Sequence, residues 1–154
     1  MDKLAAFLPN VERIEVVERD ELEDGRVRIV NHWHARADVP KLAKKFLKPE
    51  MFSWKDHALW KPDEYCVQYT LETFWLSGLY DCSGTNYFLP VDERRTEIKV
   101  ICDLEIHTDR IPGIPRFLAA KVLPAAESLI RKLLAPNLTS MAAGIKGYFE
   151  SEQR

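Results

Sequence analysis

The chain has no apolar run approaching the roughly 20 residues that a membrane span needs. Its first apolar stretch, Leu4-Ala5-Ala6-Phe7-Leu8, is too short for a signal peptide, and only Lys3 precedes it as a positive charge. A cytoplasmic protein is therefore expected. Cysteine is scarce: Cys66, Cys82 and Cys102 are odd in number, and no two stand at metal-ligand spacing. A complete disulfide framework is excluded, and free buried thiols in a reducing compartment are expected. There is no glycine-rich phosphate loop. Ser77-Gly78 and Ser83-Gly84 lack the flanking glycine of a nucleophile elbow. Nor is there an excess of one charge: 22 Lys and Arg against 24 Asp and Glu leave a net charge of −2, which argues against a nucleic-acid partner. Without repeats, low-complexity segments or linkers, the 154 residues read as one domain over 1–154. No cofactor is expected.

What the sequence does contain is period-two patterning, followed by a helical period. Asp2 can cap a short helix over Lys3 to Leu8, ended by Pro9-Asn10. Val11 to Asp20 and Arg26 to Ala35 read as a hairpin around the turn at Glu23-Asp24-Gly25. In the second strand Val27, Ile29, Trp33 and Ala35 share one face, while Arg26, Arg28, His32 and His34 share the other. Asp38-Val39-Pro40 starts a short helical insertion that Pro49 ends, with Lys41, Lys44, Lys45 and Lys48 on its basic side. Strands resume with Trp54, Ala58 and Trp60 in phase, then with Tyr65, Val67, Tyr69 and Leu71. Tyr80 to Leu89 is a further strand. Thr96 to His107 alternates most cleanly, with Ile98, Val100, Cys102, Leu104 and Ile106 against mostly charged odd positions, Glu97, Lys99, Asp103 and Glu105. From about residue 115 the apolar residues Leu118, Val122, Ala126, Leu129, Leu133, Leu138, Met141, Ile145 and Phe149 follow one helical stripe. Pro124 and Pro136 fall inside it and are expected to kink or split the helix. Strands followed by a segregated helix make an α+β pattern, with the helix as the only long element available to cover a curved antiparallel sheet.

This order resembles the START-like, or SRPBCC, helix-grip superfamily. The residues that carry the likeness are Leu4-Ala5-Ala6-Phe7-Leu8-Pro9-Asn10-Val11-Glu12, Gly25-Arg26-Val27-Arg28-Ile29-Val30, Tyr69-Thr70-Leu71-Glu72 and Arg95-Thr96-Glu97-Ile98. The spacing from Asp24-Gly25 through the insertion is also similar to PRELI-type phospholipid carriers. The resemblance implies a curved sheet wrapped around a Pro-kinked C-terminal helix, with an internal apolar site. It implies a carrier of a hydrophobic or lipid-like small molecule; the alternative is an enzyme of the polyketide cyclase, aromatase or hydratase kind. Members usually begin with a strand and a helix before the segment matching Asp2 to Leu8. Their absence here leads us to expect either a homodimer covering that flank or a cavity open to one side.

The aromatic set Trp33, Trp54, Trp60, Tyr65, Tyr69, Trp75, Tyr87 and Phe88 serves equally as core or as cavity wall. Polar residues in phase with the packed face are more informative. Asn31 lies between Ile29 and Trp33, and Asp56 lies between Trp54 and Ala58. Each needs a partner, a water or a ligand, since an unpaired buried polar group costs about 1–3 kcal/mol. The expected cavity lining is Asn31, Trp33, Trp54, Asp56, Trp60, Tyr65, Tyr69, Tyr87, Leu129, Leu133 and Met141. For the enzyme alternative, Asp56, Tyr65, Tyr69, Asp81 and Tyr87 are the acid–base types on offer. His32 and His34 point the same way on a strand, as metal ligands can, with His57 or His107 as a third. They continue the solvent face of Arg26 and Arg28, however, and no metal is expected. The lysines of the insertion would meet an anionic membrane surface, or simply water.

Overall fold

Alternating strands, joined by short turns except for the connection over residues 36–53, build a sheet in which every strand pairs with its neighbour in sequence. The computed structural model describes residues 2–36, 41, 45, 53–74, 78, 80–107 and 116–152. A short helix, α1 (Asp2–Ala5), precedes β1 (Val11–Glu21), β2 (Val27–Ala35), β3 (Trp54–Lys61), β4 (Cys66–Thr73), β5 (Tyr80–Asp92) and β6 (Arg95–Ile106); α2 (Arg116–Glu152) follows. The six strands form one antiparallel sheet in the order β1-β2-β3-β4-β5-β6. The class is a sheet-dominated α+β fold, as the patterning implies.

The β1–β2 hairpin forms as expected, turning at Gly25, whose φ of 80° suits glycine. β1, an edge strand, holds Ile14 in the core but leaves Val16 about half exposed, and its register against β2 shifts just beyond, between Val16 and Glu18. In β6 the even positions from Ile98 to Ile106 are half-buried and the odd ones exposed, the period-two pattern expected. The helical insertion lies outside the described residues except for Lys41 and Lys45, both exposed at turns. Pro124 and Pro136 lie within α2, and neither divides it into two helices. Each proline removes one backbone donor, and the i→i−4 bonds on either side suffice to carry the helix through. No helix among the described residues is long and apolar enough to cross a membrane.

Two close approaches set the packing around the sheet. Gly144 and Gly147 of α2 receive Leu8 and Phe7 of the segment after α1; a Cβ on Gly147 would stand 2.7 Å from Phe7 Cδ1. Gly84 on β5 lies beneath Tyr69 of β4. A Cβ there would run into the Ile101 carbonyl oxygen and stand 2.6 Å from Tyr69 Oη. That hydroxyl donates to the same carbonyl at 3.2 Å. Gly84→Ala must therefore displace backbone as well as a bonded side chain. It is expected to destabilise the fold by about 3 kcal/mol in urea unfolding, the upper part of the range for overpacking.

Candidate functional site

One face of the sheet carries the aromatic and polar residues of alternate positions, and the end of α2 stands over it. Between them lies a cavity of about 1300 Å³. The strand register brings its wall together in rows. Trp33 is opposite Trp54; Asn31 is opposite Asp56, which is opposite Leu71. Ala58 is opposite Tyr69, and Trp60 is opposite Val67, which is opposite Asn86. Phe88 is opposite Ile98. The Trp33 and Trp54 rings stack at 5.7 Å, as do those of Trp60 and Phe88. From α2 come Ile145, Tyr148 and Phe149, with Lys146 and Glu150 beside them.

Asp56 is the chemical centre of this wall. Its Oδ2 accepts from Asn31 Nδ2 at 3.2 Å and from Trp33 Nε1 at 3.3 Å. Its Oδ1 is buried without a hydrogen-bond partner among the described residues, as is Oδ1 of Asn31, itself 1% exposed. Burial pushes the Asp56 carboxyl up to about 6, and the two donated bonds hold it from rising further. Asn86 Oδ1 and Trp60 Nε1 are likewise buried and unpartnered among the described residues. On the same face of the sheet, Cys82 Sγ and Cys102 Sγ are 3.5 Å apart, and all three cysteines are free thiols. Burial raises the Cys82 thiol and the Tyr69 hydroxyl far enough to keep both protonated at neutral pH.

Of the residues expected to line the cavity, Asn31, Trp33, Trp54, Asp56, Trp60 and Tyr69 do so. Tyr65 does not belong with them. It follows the 3-10 turn Pro62–Glu64 with a left-handed φ of 50°, which breaks the alternation, and its side of the chain is 59% exposed. Tyr87 is also displaced. The cavity phase of β5 is Asn86 and Phe88, so Tyr87 points to the opposite face. The side chains of Leu129, Leu133 and Met141, and all of Trp75, lie outside the described ones. Asn86 escaped the sequence reading because Ser83-Gly84-Thr85-Asn86 offers no apolar contrast from which to read a phase.

The opposite face holds the histidines. His32 meets Phe74 edge-on at 4.6 Å, and Lys55 Nζ lies 5.8 Å from the same ring. This face is thus partly covered, and burial, aided by Lys55, lowers the His32 pKa. His34 Nε2 bonds Glu15 at 3.2 Å, and His57 Nε2 bonds Glu72 at 3.1 Å. His107 instead joins Asp81 and Glu105, whose ligand-type atoms lie within 4.8 Å of one another, with both acids exposed. Asp81, paired to His107 at 2.9 Å, is thereby removed from any cavity chemistry.

No family model matches the chain, and no curated protein matches it.

Proposed function

We propose that the chain is a START-like helix-grip protein that holds a hydrophobic or amphipathic, lipid-like molecule between its sheet and α2. The observation that carries this reading is the cavity itself. About 1300 Å³ exceeds the roughly 300–1000 Å³ of sites for drug-sized molecules, and its wall is apolar and aromatic with a few placed polar groups. In this reading α2 crosses the sheet face as the gripped helix. The exposed Lys41 and Lys45, with Lys44 and Lys48, approach an anionic membrane surface during transfer, and a homodimer through a sheet edge shields exposed apolar area.

A cavity-filling variant tests it. Ala58 is buried and lines the cavity, so Ala58→Phe places a ring where cargo would lie. Wild-type protein is expected to bind Nile red with a blue-shifted emission, and Ala58→Phe to weaken that binding at least about tenfold while keeping a cooperative unfolding transition. Equal binding by both would remove the cavity as the binding site.

One observation favours a second reading, an acid–base enzyme of the cyclase or hydratase kind. Asp56 lines the cavity with a carboxyl near 6, within the range of a catalytic acid or base at neutral pH.

A further inference from the structure

We propose that the cavity selects a protonated amine carried on an apolar body, with Asp56 as its counter-ion. The inference deepens the carrier reading and rests on it. Its basis is the direction of the unmet hydrogen bonds. A carboxylate only accepts, so the Asn31 amide must turn its NH₂ towards Asp56 Oδ2, as the 3.2 Å bond shows. Asn31 Oδ1 is then fixed as an acceptor. It and Asp56 Oδ1 lie on facing positions of β2 and β3, buried and without partners among the described residues. Two buried acceptors on paired positions of neighbouring strands, one of them anionic, suit a group with several donors and a positive charge. An ammonium has three donors and no acceptor. The stacked Trp33 and Trp54 line the same cavity, and Trp33 meets the carboxylate through its Nε1 edge.

The other charged groups of the cavity do not supply that counter-ion. Arg95 is held by Asp92 at 2.7 Å, and Lys146 lies 3.8 Å from Glu150. Arg94 sits at the turn between β5 and β6, and no hydrogen bond joins it to Asp56. His57 is next to Asp56 in sequence but points to the other face, where it bonds Glu72. Tyr69 and Cys82 are neighbours that stay neutral at neutral pH. An anion would face the Asp56 charge at close range, and a neutral alcohol would satisfy one acceptor at most.

Three probes with the same chain separate these cases: dodecylamine, dodecanol and dodecanoate, below their aggregation concentrations and near neutral pH. Binding is followed by calorimetry on the intact chain and on Asp56→Asn. Dodecylamine is expected to bind at least about tenfold more tightly than dodecanol, the scale of a charge-assisted hydrogen bond. Asp56→Asn should bring the two affinities together by weakening the binding of the amine. Acidification below the Asp56 pKa should erase the preference in the wild type, a check that needs no variant. If dodecanol or dodecanoate binds as tightly as the amine, the selection of amines is overturned and the carrier reading stands. If the amine preference survives Asp56→Asn, the assignment of Asp56 is overturned. If none of the three binds, both readings fall.

Discussion

Asp56→Asn is expected to make the unliganded protein more stable, by up to about 3 kcal/mol at about pH 8. The asparagine is isosteric, and its Oδ1 can take over both bonds now made to Asp56 Oδ2 by Asn31 and Trp33. What disappears is the cost of burying a charge. The carboxyl has an ordinary value of 3.8 and is raised to about 6 in the folded chain, first of all by burial. The folded state therefore holds the proton more tightly than the unfolded one. Between about pH 4 and 6 it binds more protons, so stability falls as pH rises through that window and levels off above it. The gain from Asp56→Asn should accordingly be full at about pH 8 and vanish below about pH 4. Urea unfolding at both pH values reads this directly. A loss of stability at pH 8 would mean that the carboxylate is compensated by something the wall does not show. A residue that weakens the free protein yet lines its cavity fits a group kept for its ligand.

Trp54→Ala carries the other large effect, an expected loss of about 3–5 kcal/mol. Trp54 is 4% exposed, stacks on Trp33 and stands opposite Thr73. Its removal extends an existing cavity, and neighbouring strands fixed by ladder bonds cannot close the gap. Trp33→Phe makes a useful contrast. It keeps most of the ring but deletes the Nε1 donor to Asp56, so the Asp56 pKa should rise further, as titration by NMR would detect. A cost for Trp54→Ala under about 1 kcal/mol would show that the indole is not packed as described.

The strand phases were the legible part of the site. Strict i, i+2 spacing is enough to put Asn31 with Trp33, and Asp56 with Trp54, Ala58 and Trp60. That Asn31 and Asp56 face each other was not legible, because the pairing of β2 with β3 depends on the register across a connection of 18 residues, 36–53, which no local rule sets. Tyr65 was misplaced by extending the β4 alternation one residue too far, into a left-handed turn. Tyr87 was placed by its aromatic character against the phase of its own strand. From α2 the expected wall was Leu129, Leu133 and Met141; Ile145 and Phe149, read only as members of the apolar stripe, line the cavity together with Tyr148, since a helix facing an open space presents more than one stripe. The prolines suggested either a bent helix or two helices, and α2 runs through both prolines as one helix.

The most direct test of the cavity as a cargo site is native mass spectrometry of the purified chain, paired with organic extraction. The expected result is a population heavier than the polypeptide by one small apolar or amphipathic molecule, which extraction releases and Ala58→Phe fails to retain. A bare native mass, together with no uptake of Nile red or of any of the three dodecyl probes, would contradict it.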